Sequence, residues 1–192
     1  NTPGDFCDML VAMNPAALKA NAKWLKRNAT VLVNEDAFDE LGMAKAGLTG
    51  NPFEELHIED RNIICAPITK LTEDSLKDSG LDLVAIHKCK NMFTLGMACY
   101  IYNRPIDYVY NYIEGKFRKK HPEMIAPNRK VVFDGFNYAA NIQAVANTYN
   151  VAPAKLDKGT YRNITGNQAV AWGLIAAAGK AGLPLFCGSY PI

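Results

Sequence analysis

Side chains able to do chemistry are scattered along this sequence of 192 residues rather than grouped in motifs. His57, His87 and His121 lie far apart, and we expect each at the surface rather than acting as a ligand or a base. The five cysteines contain no CxxC pair, so no two thiols have the ligand spacing of an iron–sulfur or zinc site. They are expected to be free thiols in a reducing compartment, and the cytoplasm is the expected location.

The common catalytic and phosphate-binding motifs are missing from the sequence. There is no GxGxxG, GxSxG or HExxH. The stretch from Gly173 to Lys180 fails the P-loop pattern, because it has one spacer residue too many and Ala181 where a serine or threonine binds magnesium. The residues themselves therefore predict no catalytic side chain and no metal ligand.

One turn has the chemistry of a ligand contact. Asn14-Pro15 directly follows an apolar run at 8–13, which predicts a helix N-cap and a proline at the first helical position. A helix that begins just past the carboxyl end of a strand offers free N–H groups to an anion. Asn14 could therefore contact a ligand, although N-capping alone also explains it.

The basic residues do not indicate one kind of partner. The run at 116–121, with Arg129 and Lys130, could meet phosphates or an acidic partner, or could form a solvated helix end. The net charge of +2 neither demands nucleic acid nor indicates an acidic membrane surface. No apolar run reaches the roughly 18 residues that a membrane span needs. We therefore expect neither nucleic acid nor a membrane among the partners.

The hydrophobic pattern places the first part of the chain in an α/β domain. Strands are predicted at 8–13, 30–34 and 62–67, with a helix at 16–27 between the first two. A strand, a capped turn, a helix and a strand make a βαβ unit, which favours a mostly parallel sheet.

The elements that follow are predicted to be mainly helical. Residues 35–60 are expected to form a surface excursion, and Thr72 is expected to cap a short helix at 73–79. The run at 83–86 fits either a strand or a helix. Further helices are predicted at 91–102, at 106–120 and from Pro127 to about residue 140. An irregular linker is expected at 141–165, with a domain boundary near residue 155.

The last stretch looks like the beginning of a second α/β unit. Gly166 and Asn167 precede a helix rich in small residues, and a strand is predicted from Leu185. Pro191 cannot donate a ladder hydrogen bond, so the strand is expected to end there. A Tyr190-Pro191 loop at the carboxyl end of a strand would form a rigid wall at the usual ligand site of an α/β sheet.

Six short sequences in the two halves of the chain carry a resemblance to a known family. They are Asp-Met-Leu-Val-Ala-Met-Asn at 8–14, Lys-Asn-Met-Phe at 90–93, Gly-Phe-Asn-Tyr at 135–138, Gly-Thr-Tyr-Arg-Asn-Ile at 159–164, Gly-Asn-Gln-Ala at 166–169 and Gly-Ser-Tyr-Pro-Ile at 188–192. Together they resemble the α subunit of the 2-oxoacid:ferredoxin oxidoreductases, in the type that has a γ domain fused in front of the α domain. The fused order looks most like the 2-oxoglutarate-type enzymes.

The resemblance implies a fold and a division of the chain. Residues 1–155 would be a Rossmann-like γ domain with a mostly parallel sheet, without the glycine-rich strand and turn that open the family's γ domain. Residues 156–192 would be a linker and the first helix and strand of a pyrimidine-binding-type α/β domain. Both ends of the sequence then look cut, so we expect a fragment of a longer chain that is inactive by itself.

The resemblance also implies an activity, which is the conversion of 2-oxoglutarate, CoA and oxidised ferredoxin to succinyl-CoA, CO₂ and reduced ferredoxin. Thiamine diphosphate, Mg²⁺ and an iron–sulfur cluster are expected on a partner β subunit, with CoA as co-substrate and none of these groups bound by this chain alone. The β subunit and ferredoxin are the expected partners, in a hetero-oligomer.

Seven residues are candidates for binding under this resemblance, and none is a candidate for catalysis. For the substrate they are Tyr190, Pro191, Ile192, Gly166 and Asn167. For CoA or a contact with another subunit they are Asn14 and Asn91, because both lie at predicted helix starts.

Other interpretations stay open at this point. Within the same class, the substrate could be pyruvate or a branched-chain 2-oxoacid, because nothing in these residues measures the size of the pocket. Outside it, the chain could be a non-catalytic Rossmann-like module that holds CoA or another nucleotide, or a domain that only makes subunit contacts.

Overall fold

Three parallel strands form the sheet at the centre of the fold. The computed structural model describes residues 5–146, 148–152 and 154–188. Strands β1 (Cys7–Ala12), β2 (Leu25–Asn34) and β3 (Asn62–Ala66) pair in the order β1-β2-β3, and both pairings are parallel. The predicted α/β class and the three predicted strands are confirmed.

The helix between β1 and β2 is shorter than predicted. Helix α1 (Pro15–Asn21) begins as expected, because the Asn14 side chain accepts a hydrogen bond from Ala17 N at 2.8 Å. The prediction of helix as far as residue 27 was wrong, since β2 already begins at Leu25. That leucine is buried and pairs with Cys7. Strand pairing and burial in the core therefore override the helical pattern of this segment.

The segment between β2 and β3 is folded and does not form a simple surface excursion. It contains a 3₁₀ turn at Glu35–Ala37, α2 (Glu40–Ala46) and α3 (Pro52–Glu55). Asp39 and Asn51 cap the two helices by accepting hydrogen bonds from backbone N–H groups. Leu48 and Ile58 are buried, so this segment contributes to the core and the prediction is corrected.

The helix after β3 begins earlier than predicted and is longer, and different residues cap it. Helix α4 (Ile68–Leu76) contains Thr72 in its interior, where the hydroxyl is buried and donates to Ile68 O at 2.7 Å. Thr72 is therefore not an N-cap. The α4 N-terminus is capped instead by Asn34 and Asp36, which accept from Thr69 N at 3.2 Å and Lys70 N at 3.0 Å.

Three long helices complete the first unit. They are α5 (Leu83–Ile101), α6 (Asp107–Phe117) and α7 (Ile125–Asn141). The open choice at 83–86 is settled as helix, because Asp82 caps α5 through Ala85 N at 2.7 Å. Asn91 consequently lies in the middle of α5, and its predicted position at a helix start was wrong.

Helices cover both faces of the sheet, as the alternation along β2 requires. Leu32 belongs to a core cluster with Phe93 and Met97 of α5 and with Val131 of α7. The neighbouring strand residues, Val31 and Val33, belong to a second cluster together with Leu18 of α1. The sheet is therefore the middle layer of three.

The chain divides into two compact units, residues 1–151 and 152–192. In the second unit, α8 (Gly166–Ala181) has a capping box formed by Thr165 and Gln168, and it ends at Gly182 in the left-handed conformation. The predicted helix is thus present. No strand is found at 183–188, because a strand needs a hydrogen-bonded neighbour and the described residues of this unit provide none. The predicted domain boundary near 155 stays a prediction.

No helix in the described ranges is both long enough and apolar enough to cross a membrane.

Candidate functional site

The carboxyl edge of the sheet is where an open α/β fold places its ligands. At this edge the side chain of Asn34 is buried at the end of β2 and forms two hydrogen bonds with Thr69 at the start of α4. Together with the Asp36 contact to Lys70, these bonds occupy the first N–H groups of α4. The α4 N-terminus therefore serves the fold and is not free for an anion.

The first turn of α1 is occupied in a similar way. Pro15 has no N–H group, Ala17 N donates to the Asn14 side chain, and Leu18 N donates to Asn14 O at 3.2 Å. The predicted capping role of Asn14 is confirmed by this geometry. Little hydrogen-bonding capacity remains for an anion at this turn, and a contact of Asn14 with CoA or a subunit stays a prediction.

A cavity of about 750 Å³ opens at the same edge, between the ends of β2 and β3 and the segment that joins them. Its wall is mainly apolar, with Phe38, Met43 and Phe53 among the lining residues, while Glu35 and Glu40 add two carboxylates. This volume lies within the range of about 300–1,000 Å³ that small-molecule sites occupy. The cavity is thus a candidate ligand site.

Charges of both signs lie at the wall of this cavity: Glu35 and Glu40 line it, and the Lys19 ammonium donates to the carbonyl oxygens of Ala46 and Gly47 at 2.8 and 3.0 Å. Partial burial in the cavity wall raises the pKa of the Cys65 thiol, and the negative charge of Glu35 raises it further. Thr49 and Gly50 also line the cavity, and hydrogen bonds from the backbone of Gly50 and then of Thr49 lower the pKa of Glu55. The two lining carboxylates oppose a phosphate, whereas the Lys19 ammonium is already hydrogen-bonded to two carbonyl oxygens.

Sequence reasoning missed Glu35 and Cys65 as site residues, although a signal was present. Both lie at the ends of strands that the sequence predicts correctly, and the ends of neighbouring parallel strands share one edge of a sheet. The two helices of the joining segment carry the rest of the cavity wall. That part could not be found once 35–60 had been interpreted as a surface excursion.

The structure brings Asn91 together with the basic run that the sequence analysis had treated separately. Asn91 is exposed on α5 and lines a second cavity, of about 400 Å³, with Lys116 at the end of α6 and His121 beyond it. Asn14 does not line this cavity. The two asparagines proposed for one ligand therefore border different features of the fold.

Two of the sequences that carry the family resemblance pack against each other. Phe93, from the sequence at 90–93, has its ring centroid 5.8 Å from that of Tyr138, from the sequence at 135–138. Gly135 lies against the backbone of Phe93, where a β-carbon would come 2.0 Å from the carbonyl oxygen. These two sequences thus have a packing role where α5 meets α7.

The substrate-binding candidates lie in the second unit. Gly166 and Asn167 are exposed in the first turn of α8, directly after the capping residue Thr165. Tyr190, Pro191 and Ile192 lie outside the described residues. The substrate-binding roles of all five stay predictions.

The donor atoms of the described residues do not fit a metal ion or an iron–sulfur cluster. No group of three or more histidine, cysteine, aspartate or glutamate side chains is placed to hold a metal within the described ranges. The thiols are dispersed, with Cys89 and Cys99 buried and with Cys65 and Cys187 exposed. Burial also raises the pKa of the Cys89 and Cys99 thiols, which opposes the thiolate form that metal ligation needs.

The parallel sheet, with helices on both faces, defines a Rossmann-like α/β domain, and the cavity lies at the carboxyl edge of that sheet. The chain belongs to the pyruvate ferredoxin/flavodoxin oxidoreductase family, which matches residues 1–138. It is similar to the 2-oxoglutarate oxidoreductase subunit KorA of Mycobacterium tuberculosis, with 39% identity over 191 residues. That alignment covers 100% of this chain and 29% of the relative, so the chain spans less than a third of the relative's length. The family expected from the sequence is confirmed.

Proposed function

We propose that this chain is the γ-type part, with the start of the α domain, of a 2-oxoglutarate:ferredoxin oxidoreductase subunit. The complex would convert 2-oxoglutarate, CoA and oxidised ferredoxin to succinyl-CoA, CO₂ and reduced ferredoxin. The observation that carries the proposal is the 39% identity, over the full chain, to a subunit whose name states 2-oxoglutarate oxidoreductase. The family match to residues 1–138 supports the reaction class independently.

In this proposal the chain binds and positions ligands and does not perform the chemistry. Thiamine diphosphate, Mg²⁺ and the iron–sulfur cluster belong to a partner β subunit in this proposal, as the family resemblance implies. Thiamine diphosphate supplies the electron sink for decarboxylation when it is bound. The complex is a cytoplasmic hetero-oligomer that passes electrons to ferredoxin.

The residue roles follow the same proposal. Tyr190, Pro191 and Ile192 form a wall of the 2-oxoacid pocket, with Gly166 and Asn167 at the start of the helix that leads to it. Asn14 and Asn91 contact CoA or a neighbouring subunit. The domain division at 1–155 and 156–192 is part of the proposal and is compatible with the two compact units.

The decisive experiment is a substrate panel on the purified complex of the full-length protein with its β subunit. Reduction of ferredoxin or a viologen dye is followed with 2-oxoglutarate, pyruvate and a branched-chain 2-oxoacid, each with and without CoA. A kcat/KM for 2-oxoglutarate at least about tenfold above the others, dependent on CoA, is the expected result. This chain alone is expected to give no turnover.

A second candidate substrate is pyruvate, which the family description names. Preference for pyruvate in the same panel would replace the substrate while keeping the reaction class. Absence of turnover with every 2-oxoacid, in a complex shown to contain thiamine diphosphate and its cluster, would reject the enzyme proposal. The non-catalytic CoA or nucleotide module would then be the better description.

The role of Asn14 needs a variant that separates ligand contact from helix capping. Asn14→Ala removes both, whereas Asn14→Ser keeps a hydroxyl that can accept from Ala17 N. A contact with CoA predicts that both variants raise the apparent KM for CoA in the complex. If Asn14→Ser leaves this KM unchanged and only Asn14→Ala lowers stability, Asn14 is a cap alone.

A further inference from the structure

A cavity of about 400 Å³ lies where α5, the end of α6 and the beginning of α7 meet. It shares no lining residue with the cavity at the sheet edge. Its polar lining comes from three separated parts of the chain, listed here in chain order: Lys88, Asn91, Lys116, His121, Glu123 and Asn128. We call this feature the helical cavity.

Two lysines and one carboxylate line the helical cavity, so positive charge is in excess there. Lys88 and Lys116 belong to none of the ion pairs found among the described residues. The Lys116 ammonium lies 5.5 Å from the ring centroid of Phe117, which holds it beside apolar surface. Glu123 contributes the carboxylate of the lining, and its Oε1 is already 3.2 Å from His121 Nδ1.

Two asparagine side chains add hydrogen-bonding groups to the same wall. Asn128 is only 3% exposed, and its amide nitrogen donates to Met124 O at 2.7 Å, which fixes the side chain in one orientation. Asn91 is exposed, and within the described part of the chain its side chain has no hydrogen-bond partner. An amide N–H and two ammonium groups around one opening are donors that suit phosphate oxygens.

The rest of the lining is apolar and includes Met92, Phe117 and Met124. A ligand that fills the cavity therefore needs both an anionic group and an apolar or aromatic portion. The cavity is a partly open concavity with the buried Asn128 in its wall, a shape that fits a small molecule better than the flat surface of an acidic protein. The sheet-edge cavity, which two carboxylates line, suits a phosphate less well.

We propose that the helical cavity binds a phosphate-bearing small molecule of the nucleotide class. Lys88 and Lys116 pair with the phosphate, Asn91 donates to it, and Met92 and Phe117 pack against the base. Such chemistry is found in a free nucleotide and in the nucleotide portion of CoA. Only the choice of CoA rests on the proposed function, because the site itself follows from the cavity.

The test is isothermal titration calorimetry of the purified protein with ADP, CoA and inorganic phosphate as probes. The double variant Lys88→Gln/Lys116→Gln removes the two charges at the helical cavity. Its matched control, Lys119→Gln/Lys120→Gln, removes two charges from the same basic run at exposed positions outside the cavity lining. Circular dichroism and thermal unfolding check that both variants are folded.

The expected result is a Kd for ADP that rises about tenfold or more in the cavity variant and changes less than about twofold in the control. A folded Asn91→Asp variant, which places a negative charge at the opening, is expected to weaken ADP at least as strongly. Failure of all three probes to bind the unmodified protein at millimolar concentration would overturn the proposal. Equal weakening in the cavity variant and the control would also overturn it, since the effect would then be one of net charge.

The probes also distinguish the source of the nucleotide. Displacement of ADP by CoA, with tighter binding of CoA, identifies the co-substrate, whereas ADP binding without competition by CoA identifies a separate nucleotide. Either result supports the site. The substrate panel on the complex is independent of these titrations, so turnover without nucleotide binding would reject the site alone. Binding without turnover would reject the proposed function alone.

Discussion

Gly96 of α5 and Gly135 of α7 mark a reciprocal close approach of the two helix backbones. A β-carbon on Gly96 would lie 2.0 Å from the carbonyl oxygen of Val132, and one on Gly135 would lie 2.0 Å from the carbonyl oxygen of Phe93. Both contacts are with backbone atoms, which cannot move aside as a side chain can. The pairing of the longest helices in the first unit therefore depends on the absence of a side chain at two positions.

Alanine at either glycine should destabilise the protein. Gly96→Ala and Gly135→Ala each force α5 and α7 apart, and we expect a loss of about 1–3 kcal/mol in the free energy of unfolding. Gly115→Ala is the matched control, because a β-carbon there meets nothing within 4 Å and α6 should gain up to about 1 kcal/mol from the better helix former. Urea unfolding followed by circular dichroism measures all three. Stability unchanged at 96 and 135 would contradict the close approach.

The cap that β2 supplies to α4 gives a second prediction. Asn34→Ala leaves Thr69 N–H without its buried acceptor and removes the bond to the Thr69 hydroxyl, so it should cost about 1–2 kcal/mol. Asp36→Ala removes the neighbouring cap of Lys70 N but at an exposed position, where water can replace the carboxylate. We therefore expect a smaller loss. Chemical denaturation compares the two, and a larger effect at Asp36 would show that Asn34 is not the principal cap.

Local signals explain which parts of the fold were predictable. The three strands and the Asn14 cap follow from neighbouring residues, and the structure confirms them. The start of α4 was mistaken because its caps lie more than thirty positions earlier in the chain, at the end of another element. The end of α1 was mistaken because the pairing of Leu25 with Cys7 overrides helix propensity.

The candidate sites were less predictable than the fold because cavities are made by distant residues. Asn91 was selected as a helix start, which is wrong, yet it does line a cavity with the basic residues Lys116 and His121. Only the packing of α5 with the α6–α7 connection shows that these groups are neighbours. The acidic sheet-edge cavity depends likewise on how the helices of 35–60 fold back over Val33 and Cys65.

Cys65 should react slowly with alkylating agents although it is exposed. The thiolate is the nucleophile, and partial burial together with the charge of Glu35 raises the pKa of this thiol, so little thiolate is present at about pH 8. Glu35→Gln removes one cause, lowers the pKa toward the ordinary value and should accelerate alkylation by iodoacetamide. Glu40→Gln removes a charge from the same cavity, and Glu40 is not among the causes of the raised pKa of the thiol. Peptide mapping by mass spectrometry gives the rates, and equal acceleration by both variants would contradict a specific effect of Glu35.

The turn at Thr49 and Gly50 should make stability depend on the ionisation of Glu55. Hydrogen bonds from the two backbone N–H groups lower the pKa of Glu55 in the folded state, so its contribution is fully present above the usual glutamate pKa of about 4.3. The contribution is lost as the pH falls through the lowered pKa, because the carboxylate becomes protonated. Glu55→Gln should therefore reduce stability near neutral pH, and its stability should converge with that of the unmodified protein as the pH falls through the lowered pKa. Thermal unfolding at a series of pH values measures the difference, with Glu40→Gln as the control for loss of a negative charge. A difference that stays constant across the series would mean that the turn is held by something other than the charge of Glu55.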